Sequence, residues 1–144
     1  MRLATATALT LGLLLAACAR PVVPSPPPPP APVAAVPAPA GVRQTSLGPV
    51  LVTPEGMTLY TFTHDTSNVT PDVSHCYGRC AQFWPPFRAA PGAAAFGPWS
   101  LVRRSDGTLQ WAYKGWPLYT YEKDKRPGET SGEGVRGTWH VARP

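Results

Sequence analysis

Four side chains between His64 and Cys80 have the types that bind metals or cycle electrons: His64, His75, Cys76 and Cys80. Thiolate and imidazole suit zinc or copper, and two nearby thiols can pass between dithiol and disulfide. The Cys76-x3-Cys80 spacing is not the Cys-x2-Cys of zinc ribbons or thioredoxin-like sites, and no Cys-x-x-Cys-His haem motif occurs. Two carboxylates also recur in a fixed setting. Asp65 closes Gly56-Met57-Thr58-Leu59-Tyr60-Thr61-Phe62-Thr63-His64-Asp65, and Asp124 closes Gly115-Trp116-Pro117-Leu118-Tyr119-Thr120-Tyr121-Glu122-Lys123-Asp124. A recurring acid is a candidate metal ligand or catalytic acid. A requirement of the fold, however, repeats with the fold, whereas a single active site need not. The bottom-up reading is therefore structural: each Asp accepts backbone N–H groups of the loop that follows it. On that reading Asp→Asn costs on the order of 1 kcal/mol at either position.

The compartment decides between the thiol chemistries. Arg2 supplies a positive start and Leu9 to Ala17 an apolar run too short to span a bilayer, which together read as a signal peptide over residues 1–17. It ends in Leu15-Ala16-Ala17-Cys18, which resembles the bacterial lipobox and implies lipid on Cys18. Several acyl chains make such anchoring stable. Residues 18–40 hold half of the chain's 20 Pro. Pro cannot feed a helix or sheet ladder, so the segment reads as a disordered, extended spacer reaching about 60–70 Å. In an oxidising envelope Cys76 and Cys80 form a disulfide by default. The alternative keeps them as thiols in a metal or redox cluster with His64 and His75.

The remaining residues 41–144 suit one small domain, and all five Trp fall there. Short runs rich in Thr and aromatics, separated by Gly, Pro and Asp-Gly turns, indicate an all-β fold. Val50 to Thr53 turns through Pro54-Glu55-Gly56 into Thr58 to Thr63. Leu109 to Tyr113 turns through Lys114-Gly115 into Leu118 to Tyr121, and Ser105-Asp106-Gly107 joins Trp99–Arg104 to that hairpin. Two related hairpin or meander repeats result, about 47–88 and 99–142, joined by the Ala- and Gly-rich stretch 89–97, read as a mobile connector. Each copy runs from its Asp through a polar loop to a Trp, Trp84 in the first and Trp139 in the second.

Tyr60-x-Phe62-x-x-Asp65 and Tyr119-x-Tyr121-x-x-Asp124, with Cys76-x3-Cys80, Trp84-Pro85-Pro86 and the lipobox ahead, resemble the bacterial predicted lipoproteins of the secreted Tyr-x4-Asp repeat family. The resemblance implies a secreted lipoprotein and carries no activity with it.

On a strand, Tyr60 and Phe62 share one face, as do Tyr119 and Tyr121. They read as core across the repeat interface, with an exposed aromatic platform for a sugar ring as the functional alternative. The formal charge of +5 includes Arg2 and Arg20 outside the domain, and the pair Arg103-Arg104 reads as a solvated turn. An exported, mildly basic domain excludes nucleic acid as a partner and leaves the membrane, through the anchor, and an envelope polymer or protein. No Gly-x-Ser-x-Gly, P-loop or His-Glu-x-x-His is present, so no familiar enzyme or cofactor is indicated. The expectation is a lipid-anchored envelope protein, a non-enzymatic binding or structural module, against a metal-binding or thiol redox alternative.

Overall fold

The structure, a computed structural model, describes residues 38–65 and 73–144. Cys18, the signal peptide and almost all of the Pro-rich segment lie outside the described residues, as does the 66–72 part of the first polar loop. The domain is built of short antiparallel strands with very little helix. Strand β1 (Gly41–Thr45) pairs with β2 (Gly48–Val52), and β3 (Tyr60–Phe62) follows. One short helix, α1 (Arg79–Phe83), leads into β4 (Trp99–Arg103), β5 (Leu109–Tyr113) and β6 (Trp116–Pro117), which form a meander. A 3-10 turn at Val135–Gly137 precedes the last strand, β7 (Trp139–Val141). The strand β1 has no apolar alternation to mark it in the sequence, and its residues are largely exposed.

The pairing that matters runs between the repeats. β3, from the first copy, pairs with β7, from the end of the second, matching Tyr60 with Val141 and Phe62 with Trp139. The converse also holds: Pro86, at the end of the first copy, bridges Tyr119 of the second. Tyr60 and Tyr119 exchange backbone hydrogen bonds of 2.8 and 3.0 Å where the copies meet. Two closed triangles of N–H···O bonds flank that meeting point. Leu51 donates to Ala142, Ala142 to Leu59, and Leu59 back to Leu51; Trp111 donates to Phe87, Phe87 to Leu118, and Leu118 back to Trp111. Each triangle takes two members from one copy and the third from the other. Each repeat thus lends its C-terminal segment to complete its neighbour.

These segments are buried on both sides, which is why they read as apolar runs rather than as a clean alternation. Val50, Val52, Tyr60, Tyr119 and Val141 pack into one cluster with Trp84 and Trp139. Their neighbours Leu51, Leu59, Leu118 and Ala142 face a second cluster with Trp99 and Trp111. The period-two geometry of extended chain sends successive side chains to opposite clusters. The connector 89–97 is tied to the second cluster: Ala89, Ala93 and Phe96 pack on it, and Phe96 meets the Trp111 ring edge-on at 6.2 Å. Gly132 allows the closest approach in the core. A Cβ there would lie 2.8 Å from the rings of both Trp84 and Tyr60. Gly132→Ala is expected to cost about 1–3 kcal/mol through overpacking, read from urea denaturation.

Candidate functional site

The Tyr and Asp of each motif do not bond to each other; they exchange partners across the repeats. The Tyr60 hydroxyl donates to Asp124 Oδ2 at 2.6 Å, and the Tyr119 hydroxyl donates to Asp65 Oδ2 at 2.6 Å. The other carboxylate oxygen of each Asp holds its own following loop. Asp65 Oδ1 accepts from the His75 N–H at 2.7 Å, and Asp124 Oδ1 accepts from the Ser131 N–H at 3.0 Å. One carboxylate therefore closes a local loop and also locks the neighbouring repeat. The strand places Tyr inward, and five residues on, where pairing ends, the chain turns back to bring the Asp beneath the other copy. Tyr60 and Tyr119 are wholly buried, and Asp65 and Asp124 nearly so. Burial first, and the partner carboxylate after it, push both phenols above the ordinary tyrosine range. Burial likewise raises Asp65 above the usual carboxylate range, against the lowering effect of its Tyr119 and His75 hydrogen bonds.

The Tyr119 hydroxyl also meets Ser74 Oγ at 2.8 Å, and through it a side chain that the sequence placed in solvent. Arg104 is buried rather than solvated. Its guanidinium donates to Ser74 Oγ at 2.7 Å, Gln110 Oε1 at 2.7 Å and the Cys76 carbonyl at 2.6 Å, and lies 4.3 Å over the Tyr77 ring. These bonds replace most of the water it gives up, which is what lets a charged group stay inside, although its buried Nε has no hydrogen-bond partner among the described residues. Nothing local separates Arg104 from Arg103. Besides Gln110, the partners that distinguish them come from residues 74–77, distant in sequence.

Cys76 and Cys80 are joined by a disulfide, with Cα atoms 5.2 Å apart. It closes the loop leading into α1, whose end sets Trp84 through a Trp84 N–H to Cys80 carbonyl bond of 2.8 Å. The alternative ligands are not gathered. His64 stacks on Phe62, His75 Nδ1 stands 3.7 Å from Asp65 Oδ1, and both sulfurs are spent on each other. Among the described residues no group of three or more His, Cys, Asp or Glu side chains converges as a metal ion requires. Reducing this short loop is expected to lower stability by about 2 kcal/mol on the loop-entropy model. With Cys18 lipidated and Cys76 joined to Cys80, native protein should show no free thiol. Thiol titration with elemental analysis checks this: two free thiols together with stoichiometric copper or zinc would restore the metal-site reading.

The aromatic residues of both motifs form one column. Trp84 and Trp139 stack at 3.8 Å, parallel within 1°. Tyr121 covers the outer face of Trp84 at 4.1 Å, and Phe62 covers that of Trp139 at 4.3 Å, with His64 beyond Phe62 at 4.9 Å. Tyr60 meets Trp84 edge-on at 5.4 Å, and Tyr119 meets Trp139 in the same way at 5.2 Å. The column is paired one for one between the copies: Phe62 with Tyr121, Trp84 with Trp139. Above it lies an open groove of about 830 Å³. Its lining is matched in the same way, drawing on α1 from the first copy and the Val135–Gly137 turn from the second, with His64 and Lys123 in corresponding places beyond the strand ends. The indoles are almost entirely buried, and both of their faces are covered by other rings, so they reach the groove only by their edges.

An all-β protein of two interlocked repeats, with an open groove over the aromatic column at their junction, is thereby defined. A family described as a secreted repeat of unknown function matches it twice, over residues 41–88 and 100–143, and the chain belongs to that family. No curated protein and no solved structure matches the chain.

Proposed function

We propose that the protein is a lipid-anchored, non-enzymatic binding module of the bacterial cell envelope, and that it binds through the groove between its repeats. The observation that carries this reading is the groove itself. It is large enough for a ligand of several rings, its floor is a rigid stack, and its walls come from both repeats. The chemistry-bearing groups nearby favour binding over catalysis. Asp65 and Asp124 are buried and committed to Tyr hydroxyls and loop N–H groups, and Cys80, which lines the groove, is held in the disulfide. The secreted family and the lipobox ending at Cys18 support an envelope address, and the Pro-rich segment would hold the domain clear of the bilayer.

Cys18→Ser is expected to move the protein from the membrane fraction to the soluble fraction and to remove the acyl mass. Unchanged partition and mass would end the lipoprotein reading. For binding, the purified full-length protein is expected to bind saturably to protein-stripped envelope preparations and to leave their polymer composition unchanged on long incubation. Failure to bind would sink the binding reading, and release of cleaved fragments would turn it into an enzyme.

A further inference from the structure

The groove's chemistry points to the class of ligand. We infer that it takes a negatively charged glycan strand, one whose sugar rings carry carboxylates; this rests on the groove being the binding site. Three cations line the groove, Arg79 from α1, Lys123 from the end of the second motif and Arg136 from the Val135–Gly137 turn. None of the three makes an ion pair or side-chain hydrogen bond with another described residue, and the lining contains no carboxylate. The aromatic floor adds to this. Stacked indoles turn their edges toward the groove, and ring edges carry the positive part of the aromatic quadrupole. Cations from both repeats, over a floor of the same polarity, select anions by complementarity.

Backbone conformation singles out one of these cations. Arg136 sits at φ 53, in the left-handed region that favours glycine, between Gly134 and Gly137. A glycine there would relieve the backbone, yet the position carries a long cation directed at the groove.

The carbohydrate part follows from Phe83. It is 39% exposed, lines the groove, and is the one ring of the lining outside the stack. A free aromatic face suits the C–H face of a sugar. A bare polyphosphate chain offers nothing to it. The indoles, whose faces are covered, offer no such platform themselves.

The test is calorimetric titration of the full-length lipoprotein in detergent with a galacturonate decamer, with maltodecaose and polyphosphate as separate arms. The galacturonate is expected to bind, more weakly as salt rises. Arg136→Gly and Lys123→Ala are each expected to weaken it by about tenfold, the loss of one charge-assisted contact, while the melting temperature of Arg136→Gly does not fall. Lys114→Gly removes the same charge and relieves the same kind of backbone strain (φ 50), but outside the groove, and is expected to leave the affinity within about twofold. Equal loss in Lys114→Gly, or no loss in Arg136→Gly and Lys123→Ala, would overturn the inference, as would equal binding of maltodecaose or polyphosphate. If envelope preparations bind but the galacturonate does not, the ligand class falls and the binding module stands. If neither binds, both fall.

Discussion

Alkaline titration is expected to unfold this domain, with stability falling steeply above pH 10. Tyr60 and Tyr119 are held protonated in the fold, their phenols raised well above the ordinary value of 10 by burial and by the carboxylates they bond. The unfolded chain releases those protons near pH 10. Stability from a raised group is complete below its unfolded value and is lost as pH rises from there toward the folded value. Each tyrosine therefore removes about 1.4 kcal/mol per pH unit above 10. Two of them remove on the order of 5 kcal/mol by pH 12, which is as much as many small domains possess. Urea midpoints followed by Trp fluorescence from pH 9 to 12 measure the slope. Tyr60→Phe is expected to halve its tyrosine contribution, because one of the two protons is gone. A stability that stays flat to pH 12, or a slope untouched by Tyr60→Phe, would contradict the buried Tyr–Asp pairs.

The second large effect is expected at the carboxylates. Asp124→Ala leaves the Tyr60 hydroxyl and the Ser131 N–H without their acceptor; Asp65→Ala does so to the His75 N–H and leaves the Tyr119 hydroxyl only Ser74 Oγ to donate to. A buried donor left unsatisfied costs about 1–3 kcal/mol, so Asp124→Ala is expected to cost about 4 kcal/mol and Asp65→Ala about 2–4 kcal/mol. Asp→Asn, set near 1 kcal/mol from sequence, is expected to cost about 2 kcal/mol, because two donors converge on a carboxylate and an amide offers only one acceptor oxygen. The pattern of coupling is sharper than the magnitudes. In double-mutant cycles Tyr60→Phe should couple to Asp124→Ala by about 1–2 kcal/mol, and to Asp65→Ala by less than about 0.5 kcal/mol. Coupling of Tyr60 to the Asp of its own motif instead would mean that the repeats do not exchange partners.

The reciprocal exchange also accounts for the motif. A Tyr and an Asp five residues apart are not neighbours on a strand, and within one copy their spacing has no evident purpose. Between two copies it has one. The Tyr points across the junction from the strand, and the Asp, placed where the strand ends, receives the Tyr of the other copy while holding its own loop. Both copies must then carry both residues, and the recurrence of the pattern in register follows.

Much about this chain was legible in local sequence because the physics is local. Thr- and aromatic-rich runs between Gly and Pro turns make strands, so the all-β class was readable. Asp106 and Gly107 make the turn before β5, with Asp106 accepting from the Thr108 N–H at 3.0 Å. Cys76 and Cys80 lie close enough in sequence that an oxidising compartment alone predicts their bond. Other features were decided only by the tertiary structure. Period-two alternation tells which side chains share a face, not which distant strand that face will meet. Nothing near Tyr60 indicates that its hydroxyl partner lies 64 residues away. Nor could composition tell that Arg104 is buried while its neighbour Arg103 is exposed, since two of its three acceptors are supplied by the first copy. The stack that floors the groove takes Phe62 and Trp84 from one repeat, and Tyr121 and Trp139 from the other. Each ring is readable as apolar in its own segment; that the rings present edges to the groove rather than faces is settled only when the two repeats close on each other.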